Sequence, residues 1–442
     1  MKGNIAIIGG GLTGLVAGYR LSQKGYRVTV LEKSDSLGGL MGGFKINGTN
    51  LEKAYHHIFK TDKNIIKLIK ELGLQSRLQW HESSIGIYYQ NKVYPFVTPI
   101  DLLKFRPLNL IDKVRLGLVK IYLEKDKNYK KFIKIPANEW MKKWCGENAY
   151  RVIWEPLLKG KFHDYYHNVS MAWLWARIHT RANSKEPGDV KEMLGYIDGG
   201  FDLITQKLVE KIKEKGGVIK LNSSINRIEQ TGGKKIKIIL NNKSLIFDKV
   251  IASVPSNALA KLINPPLSPF EKGGTKLEEY IKRLNSIDYL GAVTVIFSSR
   301  QSLSPYYWHN INDLKSPFLA FIQHTNLIDK SNYKNEHVYY LGIYLPESYR
   351  YFKSKDEDIY KDFFKYLKKI FPKFDEKQIT SKFVFRFKNA QHVVDLDYVS
   401  KIPNYKTPIK NLYLSNFSQI FPEDRGTNFA VREGEKIGKM IL

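Results

Sequence analysis

Three glycines constrain this chain more than any other feature. Gly9, Gly11 and Gly14 lie between a short apolar run at 5–8 and a helical pattern at 15–24, with a second buried-type run at 27–31. The segment reads as one βαβ unit. The G-x-G-x-x-G spacing at a strand-to-helix turn has a physical reason. The first glycine permits the tight turn, the second lets backbone approach a pyrophosphate, and the third lets helix pack on strand. Free N–H groups at the helix start, those of Leu12 and Thr13 among them, add partial positive charge beneath phosphates. Glu32 stands 18 residues after Gly14, at the end of the second strand, and is followed by Lys33. A carboxylate there accepts hydrogen bonds from ribose hydroxyls and repels a 2′-phosphate.

The continuation separates two dinucleotides. A further pair, Gly38-Gly39, lets backbone pass close to an extended cofactor, which points to FAD rather than NAD. This arrangement resembles the FAD proteins of the amine oxidase, protoporphyrinogen oxidase and phytoene desaturase superfamily. Many members follow the glycine pair with Arg, where this chain has Leu40 and Met41. The resemblance extends over nearly the whole chain. It implies that 196–201 is the turn before a second cofactor segment and that Ile225 lies in the strand whose backbone meets adenine. It also implies that 248–255 is a closing strand, and that Asn416 occupies the place of a strand-end Gly-Asp. Gly426-Thr427-Asn428-Phe429 then opens a last helix whose N-terminus points at the flavin's pyrimidine edge, where it would stabilise an anionic reduced ring. No Cys lies in that region, so a cysteinyl flavin is excluded and FAD is expected to be non-covalent.

Residues 55–62, Tyr-His-His-Ile-Phe-Lys-Thr-Asp, resemble a stretch of UDP-galactopyranose mutases in which a His-Ile-Phe run lies against the isoalloxazine. Residues 91–96 and 99–103 extend that likeness. His56 becomes a candidate flavin contact and His57 a candidate catalytic group, able to relay protons if neutral. A purely structural His pair fits the same residues. The aromatic stretches 306–310 and 318–326 read either as cavity floor or as sheet core.

Composition bounds the rest. The 442 residues are 43% hydrophobic and 26% charged, the balance of a folded protein with room for two domains. A single cysteine, Cys145, permits no intrachain disulfide or cysteine-based metal site and favours a reducing compartment. No metal is expected. The net charge of +28 attracts anionic lipid, anionic substrates or nucleic acid. The lysines are scattered and no nucleic-acid motif is present, so a membrane surface or a small-molecule or lipid-linked anionic substrate is favoured. Residues 102–124 alternate apolar positions with Lys and Arg, interrupted at Arg106-Pro107. That pattern suits a membrane-surface helix or an ordinary helix with a solvated face. The N-terminal apolar run lacks a cleavage site and reads as structure. The expected location is cytoplasmic, with membrane association open.

The expected fold is α/β: a three-layer Rossmann-type FAD domain (1–75, 196–275 and 405–442) with an inserted substrate domain of mixed sheet and helices (76–195 and 276–404). Strands at 218–221, 235–240 and 250–252 are expected to extend the parallel sheet, and 264–274 to be an exposed Pro/Gly-rich loop. The expected activity is flavin-dependent oxidation of a substrate C–H bond with an unidentified electron acceptor. A non-redox flavoenzyme acting on a nucleotide sugar is the alternative. A flavin-free binding module resembling the GDP-dissociation inhibitors is the third reading.

Overall fold

The computed structural model describes residues 2–184, 192–232, 235–241, 243–263 and 275–441. The expected loop at 264–274 lies outside them. Apolar runs at both ends and in the middle of the chain converge on one five-stranded parallel sheet. Its strands are β1 (Asn4–Ile8), β2 (Arg27–Leu31), β3 (Val218–Lys220), β4 (Lys249–Ala252) and β5 (Leu412–Leu414), in the order β3-β2-β1-β4-β5. In register, Ile7 pairs with both Val30 and Ile251, and Ala252 with Leu414.

Helices pack around this sheet and beyond it. They include α1 (Leu12–Gln23), α2 (Lys63–Glu71), α3 (Pro99–Lys104), α4 (Leu110–Lys125), α5 (Met171–Ala182), α6 (Asp202–Glu214) and α7 (Thr427–Met440). Alternate side chains of a strand point to opposite faces, and β1 shows why three layers form. Ile5 and Ile7 pack in one core with residues of α1, α6 and α7, whereas Ala6 and Ile8 pack in a second. That second layer is a three-stranded sheet, 225–230, 236–240 and 243–247, with the helices Ser256–Ile263 and Thr275–Asn285. The three-layer expectation stands with one correction. Residues 236–240 do not extend the parallel sheet but pair antiparallel with both neighbours in the covering layer. Short hairpin connections allow only antiparallel pairing, which periodicity alone does not reveal.

The remaining chain builds a seven-stranded sheet in the order 379–392, 289–299, 337–345, 320–323, 308–311, 85–89, 92–95. Every pairing is antiparallel except that of 308–311 with 85–89. One face carries the helix Asp356–Ile370. A helical group from 99 to 182 packs in its own core, which contains the buried Cys145. Within that group Arg106-Pro107 separates α3 from α4. No described helix is long and apolar enough to cross a membrane.

Candidate functional site

The glycine turn after β1 meets the glycine turn after β2. A Cβ on Gly14 would stand 2.4 Å from the Gly9 carbonyl oxygen and 2.5 Å from Ser253 Oγ, so α1 closes on the turn only without a side chain there. Gly11 is the opposite case. Apart from its own chain neighbours, no heavy atom lies within 4 Å of the position its Cβ would take. Gly38 N–H donates to Gly10 O at 2.9 Å, and a Cβ on Gly39 would come 3.2 Å from Gly11 Cα. Gly11 caps α1 without any side-chain hydrogen bond, so the N–H groups of its first turn, Leu12 and Thr13 included, have no capping acceptor.

Glu32 is nearly buried beside this opening. Its Oε2 accepts from Gly10 N–H at 2.7 Å and its Oε1 from Ser34 N–H at 2.9 Å. A carboxylate has further acceptor capacity, so holding the turn leaves lone pairs for a ribose. Lys33 is exposed. Ser223 N–H donates to Glu32 O at 2.8 Å, which brings the start of the 225–230 strand and Ile225 to the end of β2. Open space over Gly11, an uncapped helix start and a fixed carboxylate fit the ADP half of FAD.

At the other end of the crevice, Asn428 Oδ1 accepts from Asn64 N–H at 2.9 Å and tethers α7 to the start of α2. Asn416 uses its amide within the protein. Nδ2 donates to Val254 O at 2.7 Å and Oδ1 accepts from Ser418 N–H at 2.9 Å. It fixes the end of β5 against the end of β4.

Beyond these turns lies a cavity of about 220 Å³. Leu40, His56, His57, Asn428 and Phe429 line it, together with Trp308, Asn310 and Leu319 from the two aromatic stretches. The buried Tyr307, His309, Phe318 and Phe321 belong to the sheet interior instead. Burial lowers the pKa of His56 to about 4, and its Nδ1 lies 2.7 Å from Ala54 O, a contact that makes Nδ1 the donor of a neutral ring. His57 is lowered to about 3 by burial, with Arg181, His56 and Arg177 acting in the same direction. His57 therefore reaches the cavity but is a weak base. Asp62, in the same wall, is raised to about 6 by burial despite accepting from Phe59 N–H at 2.9 Å.

The opposite wall is cationic. Lys161 comes from the helix Glu155–Phe162, Arg177 and Arg181 from one face of α5, and Arg425 from the turn before α7. Asp424 Oδ2 accepts from Lys161 Nζ at 2.7 Å and from Arg177 Nη1 at 3.3 Å. Burial opposes the charge on Asp424, but Lys161, Arg177 and Arg425 hold it well below the usual carboxylate range. Arg425 Nη2 donates to Tyr344 OH at 2.7 Å, while its Nε is buried without a partner. Arg181 faces Glu192 at 3.4 Å. Lys161, Arg177 and Arg425 thus share Asp424, and the wall keeps a surplus of positive charge. Sequence reasoning missed this cluster. The four-residue spacing of Arg177 and Arg181 is its only local signal, because Lys161 and Asp424 meet across 263 residues. Among the described residues, no group of three or more His, Cys, Asp or Glu is arranged to hold a metal.

Comparison with known proteins decides the family. Residues 12–415 match the profile of the flavin-containing amine oxidoreductases. The chain belongs to that family. This amine oxidoreductase family member is an FAD-dependent enzyme. It is 24% identical over 441 residues to a 15-cis-phytoene desaturase of an Oncidium hybrid cultivar, covering 93% of this chain and 73% of the plant protein. To amine oxidase B of Cavia porcellus it is 27% identical over 289 residues, covering 60% of this chain and 53% of that one. The fold matches reduced UDP-galactopyranose mutase with a TM-score of 0.76 at 15% identity, over 100% of this chain and 94% of the mutase. A family of flavin-containing enzymes sets aside the flavin-free binding module.

Proposed function

We propose that this enzyme oxidises a C–H bond of a substrate bearing an acid group, held between the flavin crevice and the cationic wall. FAD, when bound, supplies a hydride acceptor at N5, and an electron acceptor such as oxygen or a quinone restores it. The remaining work falls to the protein. Gly11, Leu12 and Thr13 would hold the pyrophosphate, Glu32 a ribose, and the start of α7 at Asn428 and Phe429 the pyrimidine edge. Gly9, Gly38 and Gly39 would make room for that approach, Gly14 lets α1 close on the turn, and Ile225 would stand beside the adenine end. Lys161, Arg177 and Arg425 would fix the acid group, orienting the substrate by charge-assisted hydrogen bonds. Trp308, Leu319 and Phe429 exclude water. Asp62, with its pKa near 6, is better matched than His57 to take a proton at neutral pH.

The surplus positive charge on the cavity wall carries this reading, because it repels a protonated amine and gives a pure hydrocarbon nothing to bind. Anaerobic mixing of the holoenzyme with carboxylates, phosphates and amines tests it. Acidic substrates should bleach the flavin absorbance; bleaching by amines alone would refute the reading.

The same wall, with His56 and His57 opposite, supports a second reading, in which the reduced enzyme rearranges a nucleotide sugar held by its diphosphate. That activity would appear as isomerised product without net flavin oxidation.

A further inference from the structure

We propose that the outer face of α3 and α4 docks on an anionic lipid membrane. α4 carries two apolar stripes. Leu116, Val119 and Leu123 are buried. Ile111, Val114 and Leu118 recur at three- and four-residue spacing on another side and are 71%, 53% and 62% exposed. At 100° per residue the two stripes are centred roughly 140° apart. A helix with a solvated outer face carries polar side chains there, whereas this one carries Ile, Val and Leu. Ile100 and Leu103 of α3, 59% and 60% exposed, add to the patch. Leu110 and Ile121 of α4 are exposed too, whereas exposed large apolar residues beyond 99–145 stand far apart along the chain; a concentration of them marks an interaction surface.

Charge and aromatic placement identify the occupant. Residues 99–145 hold twelve basic and five acidic side chains. Two of the acids are turned inward, Asp101 in the cap of α3 and Asp112 buried against Asn148. Tyr122 and Trp144, both about half exposed, sit beneath Lys131 and Lys143 at 4.9 and 5.6 Å from the ring centres. Apolar side chains flanked by lysines and amphipathic rings match the headgroup boundary of an anionic leaflet. A second copy of the chain would set like charge against like charge. The buried stripe of α4 packs on α5, which supplies Arg177 and Arg181 to the cavity. The bilayer would therefore lie roughly two helix layers, about 20 Å, from the cavity.

The test is co-sedimentation of the FAD-loaded full chain with phosphatidylcholine vesicles, with and without phosphatidylglycerol. Binding should require phosphatidylglycerol and fall with salt. The double substitution Ile111→Glu with Leu118→Glu should weaken it about tenfold or more, leaving the flavin spectrum and melting temperature unchanged. Absence of binding by the wild-type holoenzyme would overturn the proposal, as would equal binding by the variant. A dimer in light scattering that the same substitutions split would overturn it too, by assigning the patch to a second copy.

Discussion

Lys161 Nζ donates to Asp424 Oδ2 at 2.7 Å, and this one carboxylate also faces Arg177 and Arg425. Asp424→Asn leaves three cations crowded in a low-dielectric wall. Removing one partner of a buried pair costs about 3–5 kcal/mol, so the variant should unfold at markedly lower denaturant concentration. Adding Lys161→Met should recover part of the loss, since it removes an unpaired charge. A double-mutant cycle in urea measures both.

Gly11 and Gly14 should part company on substitution. A Cβ at Gly14 collides with Gly9 O and Ser253 Oγ, so Gly14→Ala should destabilise the apoprotein by about 1–3 kcal/mol. A Cβ at Gly11 meets no protein atom. Gly11→Ala should leave apoprotein melting within about 2 °C of wild type yet weaken FAD binding at least about tenfold. Melting curves and flavin titration separate the two effects.

Glu52 makes stability depend on pH. Burial raises its carboxyl from 4.5 to about 7, against the hydrogen bonds from Phe201 N–H and Tyr196 OH. Between those values the folded chain holds a proton that the unfolded chain releases, so folding weakens as pH rises. The group's stabilising contribution is complete below pH 4.5 and is lost by about pH 7, on the order of 3 kcal/mol in all. Glu52→Gln should flatten that slope in thermal melts across the same range.

His57→Ala should slow flavin reduction by substrate severalfold without releasing FAD, because the ring lines the cavity and no ionisation of it is at stake. The wild-type pH profile should show a limb near 6, matching Asp62. Asp62→Asn should remove that limb; a limb that persists would assign the titration elsewhere. Stopped-flow reduction between pH 5 and 8 reads this out.

Local signals carried the cofactor end of the site and little of the cavity. Gly9, Gly11, Gly14 and Glu32 lie in one βαβ unit, and their spacing states their geometry. Strands β3 and β4 were equally legible, since their apolar runs are local. Pairing partners were not: residues 236–240 read as a buried strand, but the sequence says nothing of which sheet receives them. The cationic wall was less legible still. It forms only where a helix at 155–162, α5 and the turn before α7 meet. On α4, a single periodicity argument missed a helix with two apolar faces, because two opposed stripes cancel in any one-sided average.

The order of strands in the parallel sheet sets a timetable. β1 is flanked by β2 and β4, and β4 by β5, so the floor under the glycine turn includes residues 412–414. The helix that closes the crevice begins at Thr427. A chain emerging from the ribosome presents its nucleotide fingerprint about 400 residues before the walls around it. Flavin capture therefore depends on residues 412–440, and a chain lacking them would have an empty site although its glycine fingerprint and Glu32 are still present.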